Sequence, residues 1–182
     1  MTAGAKAGVA RLLDGIDRLS LLGGWLAAGC IGAILALIVA EVLARNLLNY
    51  SIDFAWEFSA YFMGAAFMLG AGYALRAGAQ IRVNLLLENL PRPLARVVDG
   101  LATLVGIAVA AYLTYALADM AWLSWTRNSR SVQPSDLPLW IPQASLVLGS
   151  LLLTLQAAAR LGRLLRGEPG DDARLRVGQD IE

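Results

Sequence analysis

The residue types that most often carry chemistry are scarce in this sequence. It contains no histidine, and its single cysteine, Cys30, lies in an apolar run. Without histidine there is no imidazole base, no Cys–His nucleophilic pair and no histidine-ligated haem, and most zinc sites are excluded. One cysteine cannot form an intrachain disulfide. We therefore expect no enzyme active site, no metal and no other cofactor.

The charged side chains with informative positions stand at the ends of long apolar runs. Glu41 and Arg45 follow the first run at a spacing of four, which suits an ion pair on one helix face. Asp53, Trp56 and Glu57 open the second run, where Asp53 is a candidate helix cap and an acid in the first turn suits the helix dipole. From these residues alone, Glu57 is an ordinary acid at the membrane interface.

Four stretches are long and apolar enough to cross a membrane, which requires about 17–25 residues. They are continuous rather than alternating and rich in Leu and Ala, which favours helices over barrel strands. The hydrophobic fraction of 58% and the mean hydropathy of +0.59 agree. The sequence predicts an all-α integral membrane protein with a single membrane domain over residues 1–166 and four transmembrane helices at about 19–40, 56–75, 100–118 and 139–159.

The distribution of Lys and Arg predicts the orientation. Twelve of the 15 lie at the N-terminus, in the middle loop or after the last span, and three lie in the other two loops. Because positive residues are retained on the cytoplasmic side, both termini are predicted to be cytoplasmic. Four of the five tryptophans fall near the opposite interface, as in an aromatic belt: Trp56, Trp122, Trp125 and Trp140.

The segments outside the spans give three further expectations. Ile81, Leu85 and Leu90 share one face before Pro91, which predicts a short interfacial amphipathic helix between spans two and three, resting on lipid or on a partner. Residues 167–182 have mixed charge and few large apolar side chains, which predicts a disordered cytoplasmic tail. The net charge of +1 gives no reason to expect nucleic acid.

Small residues recur at every fourth position of the first and third spans, where they are expected to let helices pack closely. The first series is Gly24, Ala28, Gly32, Ala36 and Ala40, and the second is Ala102, Gly106, Ala110, Thr114 and Ala118. The span centres hold no charged residue and no interrupting proline, although such residues mark ion pathways and transporter binding sites. These patterns predict a membrane scaffold rather than a transport path.

Several sequence features occur together in the order and spacing of a known family. Arg45-Asn46 ends the first span and Trp56-Glu57 opens the second, which runs into "LGAGYALRAGAQIRVNLLLENLP". The fourth span is entered through "LPLWIPQASLVLG". In these features, over about residues 18–166, the chain resembles the small permease subunit of tripartite ATP-independent periplasmic (TRAP) transporters, the DctQ-type family.

The resemblance implies a multi-pass protein of the bacterial inner membrane. It implies that the chain supports a large multi-span permease subunit of a sodium-coupled transporter and helps dock a periplasmic substrate-binding protein that delivers an organic acid or related solute. Gln80 and Asn84 stand where the family often has His and Asp. The residues to which it assigns partner contact or bracing are Arg45, Trp56, Glu57, Gly70, Arg82 and Asn84. It makes Glu57 a candidate bracing or docking acid, with Arg45 across the short loop as its expected partner, and the alternative is an ordinary interfacial acid.

Two other classes of protein fit the residues less well. One is a four-helix membrane anchor subunit of another inner-membrane complex, of which haem-bearing examples are excluded by the lack of histidine. The other is an intramembrane enzyme, which requires paired carboxylates, a Ser–His pair or metal ligands at depth. None of these is present in the spans.

Overall fold

The computed structural model describes residues 3–78, 91–133 and 135–167, which form four helices. They are α1 (Ala3–Leu48), α2 (Ala55–Arg76), α3 (Arg92–Thr126) and α4 (Trp140–Leu165). All four are long and apolar enough to cross a membrane, and this part of the chain contains no β-strand. The predicted all-α fold with four transmembrane helices is confirmed. The predicted interfacial helix near Ile81 and the predicted tail beyond residue 167 lie outside the described residues.

The helices end at residues whose backbone chemistry explains the ends. Asn49 after α1 and Asn128 after α3 have positive φ values of 49° and 50°, a conformation that asparagine tolerates well at helix C-termini. Pro91 precedes α3, where a missing N–H costs little. The expectation that Asp53 caps α2 is wrong. Phe54 occupies the cap position, and no side chain bonds to the first turn there.

The four helices form an open arrangement in which α2 and α4 are the inner members. α1 packs on α2 and touches α4, whereas α3 packs on the other side of α4. The outer helices α1 and α3 consequently leave many large apolar side chains uncovered, among them Trp25, Leu35, Val105 and Tyr112. We call the end with the start of α1 and the end of α4 the terminal end. The opposite end, with loops 49–54 and 127–139, is the loop end.

Glycines on two sides of α2 allow the closest helix crossings. A Cβ added at Gly149 of α4 would overlap the carbonyl carbon of Met68 and lie 2.7 Å from the nitrogen of Leu69. A Cβ added at Gly23 of α1 would lie 2.7 Å from the carbonyl oxygen of Leu69. Leu69 also belongs to the buried apolar cluster with Ala27 and Ala65. The middle of α2 is therefore clamped between the backbones of α1 and α4.

The small-residue series are used differently from what the sequence predicts. Gly24 packs against the ring of Tyr73, but the rest of the α1 series (Ala28, Gly32, Ala36 and Ala40) is exposed. The face of α1 that meets α2 runs instead through Gly23 and Ala27. On α3, Ala110 is buried and Thr114 is half-buried against α4, whereas Ala118 is exposed. Four of the five members of the α1 series are therefore left uncovered by the described helices, and close packing through them stays a prediction.

The α2–α4 crossing gives a test of the fold. We expect Gly149→Ala to destabilise the protein by about 1–3 kcal/mol, the range for overpacking of a tight core, despite the better helix propensity of alanine. Thermal unfolding in mild detergent measures the effect. Gly162→Ala on the same helix is the matched control, because its Cβ would meet its nearest neighbour at 4.0 Å. Equal unfolding temperatures for the two variants would contradict this account of the crossing.

Candidate functional site

At the loop end, Glu41 organises the first loop. Its Oε1 accepts hydrogen bonds from Nη2 of Arg45 and from the hydroxyl of Ser51, the latter at 2.9 Å. Its Oε2 accepts the backbone N–H of Ile52. The predicted Glu41–Arg45 ion pair is confirmed. Because one carboxylate binds a side chain of its own helix and two groups of the loop, Glu41 fixes loop 49–54 against the end of α1.

A cleft of about 790 Å³ opens beside Glu41, between the ends of α1 and α2. Arg45 and Trp56, two of the predicted contact residues, line it, and both are well exposed. We call this space the outer cleft. Its walls mix polar and apolar side chains: Ile38, Glu41, Val42, Arg45, Asn46, Ser51, Ile52, Asp53, Ala55, Trp56, Ser59 and Gln133.

Glu57 lies away from the outer cleft and is 5% exposed. The hydroxyl of Tyr61, one turn further along α2, donates a hydrogen bond of 2.7 Å to its Oε1. Its Oε2 is buried and has no hydrogen-bond partner within the described residues, and the side chains of Ser131 and Ser135 of the second loop lie near the carboxylate. The expected Glu57–Arg45 pair is wrong, since Arg45 turns to Glu41 and Glu57 turns to the second loop. Glu57 thus faces a loop that follows it by more than 70 positions.

The second loop is folded on itself above Glu57. Arg130 forms an ion pair of 2.9 Å with Asp136, and its backbone bridges to Pro138. The N–H of Leu139 donates to the carbonyl of Ser129 at 3.0 Å. At its two ends the rings of Trp125 and Trp140 meet edge to face at a centroid distance of 4.8 Å. The loop therefore presents a defined surface.

The remaining predicted contact residues have different positions. Gly70 is half-buried on α2, and a Cβ there would lie 3.4 Å from the Cβ of Ala27, so this glycine faces α1 within the same chain. Arg82 and Asn84 lie outside the described residues. The structure thus brings Arg45 and Trp56 together in the outer cleft and places Glu57 and Gly70 elsewhere.

At the terminal end, Asp17 of α1 is shared by two other helices. Its Oδ1 accepts hydrogen bonds from Nη2 of Arg163 at 2.6 Å and from the amide of Gln156 at 3.1 Å, both on α4. Its Oδ2 lies 3.5 Å from Nε of Arg76 on α2. The Gln156 side chain is 1% exposed and accepts a hydrogen bond from Ser20 through its oxygen. One carboxylate therefore holds α1, α2 and α4 together.

A second polar link ties α3 to α4. Nη2 of Arg160 binds both carboxylate oxygens of Asp99 at 2.8 and 3.1 Å, and Nη1 donates to the hydroxyl of Thr103 at 2.7 Å. Arg160 is 6% exposed. Removing one member of such a buried pair leaves the other charge without compensation, which is strongly destabilising.

The sequence reasoning missed both links at the terminal end. A signal was available, because Asp17 and Asp99 precede apolar runs and Arg160 and Arg163 follow one, all on the same predicted side of the membrane. The polar side chains at the two ends of the molecule hold its helices and loops together or are exposed for contact with other molecules. Within the part of the chain that the structure describes, no group of three or more His, Cys, Asp or Glu side chains could hold a metal ion.

Comparison with known proteins gives one family. A family model described as "Tripartite ATP-independent periplasmic transporters, DctQ component" matches residues 34–167. The match runs from the middle of α1 to just past the end of α4, which is well over half of the chain. No curated protein matches the chain at a significant level.

The buried carboxylate of Glu57 gives a second test. In Glu57→Ala, we expect the second loop to open more often, because the buried side chain that it covers is truncated and the Tyr61 hydroxyl beside it loses its acceptor, at a cost of about 1–3 kcal/mol. Trypsin cleavage after Arg127 and Arg130 should accelerate roughly 5- to 150-fold in mild detergent if cleavage follows the open population.

The control is Asp119→Ala, which removes an exposed acid from α3 near the same end. Its cleavage rate should equal that of the unaltered protein. An unchanged rate in Glu57→Ala would show that the loop is held by its own internal contacts.

Proposed function

The chain belongs to the DctQ component family of TRAP transporters, and we propose that within such a transporter it is the fixed scaffold of a large permease subunit in a bacterial inner membrane. The family is a transporter component and not an enzyme, which confirms that part of the sequence prediction. The chain is accordingly a small multi-pass membrane subunit. The partners, the coupling ion and the solute in the following paragraphs are proposals.

The observation that carries this proposal is the distribution of charge along the spans. In the described residues, the acidic and basic side chains that form ion pairs or side-chain hydrogen bonds gather at the two ends: Asp17, Arg76, Asp99, Arg160 and Arg163 at one, and Glu41, Arg45, Glu57, Arg130 and Asp136 at the other. Ion and proton pathways through membranes use ionisable groups at depth. We therefore assign sodium coupling and the solute path to the large permease.

The exposed small residues of α1 supply a surface for that permease. Ala28, Gly32, Ala36 and Ala40 are uncovered, and a Cβ at Gly32 would meet nothing within 4 Å. Without a hydrophobic drive in lipid, helices associate where small residues let backbones approach. Because this series does not pack within the chain, we propose that a helix of the permease lies against it.

The loop end supplies a surface for a periplasmic binding protein. The second loop is held by its own contacts, among them the Arg130–Asp136 ion pair, and carries a fully exposed Val132 beside exposed Arg127 and Arg130. We propose that this loop helps dock the binding protein, which delivers an organic acid or related solute. The solute itself is then chosen by the binding protein and the permease.

Reconstitution tests the scaffold role. Proteoliposomes that hold this chain by itself should show solute uptake at the background rate, with or without a sodium gradient. Uptake should appear once the large permease and the binding protein encoded with it are added, because the ion and solute sites reside there. Sodium-driven uptake by this chain by itself would overturn the proposal.

The proposed permease contact has its own test. Gly32→Leu should reduce co-purification of the permease several-fold in mild detergent, because the larger side chain separates the two helix backbones. Ala108→Leu is the matched control, since it places the same side chain on the exposed face of α3. Equal recovery of the permease with the two variants would show that the permease does not contact this face of α1.

A further inference from the structure

The outer cleft has the dimensions and the position of a lipid headgroup site. Its volume of about 790 Å³ falls within the range of ligand pockets, about 300–1,000 Å³. It begins where the predicted hydrocarbon span ends near residue 40 and reaches to the start of α2. Trp56, 85% exposed, stands at its edge, as tryptophans do at the level of lipid headgroups.

The positive group of the cleft is Arg45. Its side chain is 67% exposed, and its contacts with Glu41 and Ser51 all use Nη2. Nη1 and Nε have no hydrogen bond within the described residues. Glu41 therefore fixes the direction of the guanidinium, while two of its nitrogens are available to a ligand. Guanidinium groups held in this way bind phosphate well, because two N–H donors match two oxygens.

The negative group of the cleft is Asp53. Its carboxylate is exposed, and across residues 3–78, 91–133 and 135–167 it takes part in no hydrogen bond or ion pair. Glu41, in contrast, already has partners on both oxygens. The cleft thus offers one available cation and one available anion. A ligand that carries a phosphate and a positive charge complements both.

The apolar wall of the cleft favours a ligand with acyl chains over a soluble one. Ile38 and Val42 are half-exposed there and lie on the side of α1 that leads back into the membrane span. A free phosphate leaves this wall uncovered, whereas the glycerol and the upper acyl carbons of a phospholipid cover it. The wall, the phosphate-binding cation and the interfacial level together select a membrane lipid.

We propose that the outer cleft binds the headgroup of a zwitterionic phospholipid with a primary amine, phosphatidylethanolamine, with its phosphate on Arg45 and its ammonium on Asp53. The ammonium donates N–H hydrogen bonds to a carboxylate. A choline headgroup has no such donors and is recognised by cages of several aromatic rings, whereas Trp56 is the one aromatic side chain that lines the cleft. The site goes beyond the proposed scaffold role, and its test requires no transport.

Native mass spectrometry of the full chain in mild detergent tests the proposal. The protein is offered an equimolar mixture of phosphatidylethanolamine, phosphatidylcholine and phosphatidylglycerol, and the retained lipids are counted. The unaltered chain should retain phosphatidylethanolamine preferentially. Arg45→Gln should reduce that retention roughly tenfold, since a hydrogen bond to a charged group is lost. Arg127→Gln, at the same end but outside the cleft, should leave it unchanged.

Asp53→Asn keeps the test decisive if Arg45→Gln disturbs the first loop. Because Asp53 makes no hydrogen bond in the described part of the chain, its replacement should leave the fold intact. It should still retain phospholipid but lose the preference for ethanolamine over choline. Equal retention of the three lipids by the unaltered chain, or an unaltered preference in Asp53→Asn, would overturn the proposal.

Two further measurements identify the source of the phosphate and the type of occupant. Displacement of the lipid by millimolar inorganic phosphate would show a soluble-anion site and overturn the assignment to a lipid. Loss of the lipid from the cleft when the chain is purified with its permease would show a protein contact, and it would overturn the assignment as well. Retention in both cases supports it.

Discussion

The carboxylate of Asp17 is the contact on which the arrangement of the helices depends. Apolar helices in lipid have no hydrophobic reason to choose one neighbour over another, so polar groups and close backbone contacts must make the choice. Asp17 determines which helices associate, because its contacts with Arg76, Gln156 and Arg163 join α1 to α2 and α4. These links fix the positions of the helices along their axes. Gly23 and Gly149 are thereby aligned with the backbone of α2 at Leu69.

The two ends of the molecule differ in how their polar groups are used. At the terminal end, carboxylates and guanidiniums are directed at one another and are largely buried. At the loop end, Glu57 is buried beside the second loop, Glu41 organises the first loop, and Arg45, Asp53 and the second loop stay open to their surroundings. The terminal end therefore holds the helices in place, and the loop end is free to meet other molecules.

The sequence predicts the helices well because their signals are local. Long apolar runs, the spacing of Glu41 and Arg45, and Pro91 before α3 each act over a few residues. Contacts between distant positions have no such signal. Asp17 and Gln156 are 139 positions apart, and Glu57 finds its hydroxyl neighbours on a loop beyond α3. The family resemblance pointed to Arg45, across the short first loop, as the partner of Glu57, and nothing in the sequence shows that the second loop folds back toward it.

The small residues of α1 show a different limit. A series of small side chains indicates that a helix is able to pack closely, and it carries no information about whether the partner belongs to the same chain. Here Gly23 and Ala27, adjacent to the predicted series, meet α2, and the series itself faces outward. Choosing between two neighbouring faces of one helix requires the positions of the other helices, which Asp17 and the glycine crossings determine.

The position of α3 at the far side of α4 has a consequence for synthesis. Thr126 and Leu165, the last residues of α3 and α4, are 39 positions apart. At roughly 5–20 residues per second, α3 is complete about 2–8 s before the helix on which it packs. During that interval α1 and α2 are able to pack against each other, whereas Arg160, the partner of Asp99, has not yet been synthesised. A chain interrupted there carries an unpaired helix with an uncompensated acid at its end, the kind of species that membrane proteases and chaperones act on.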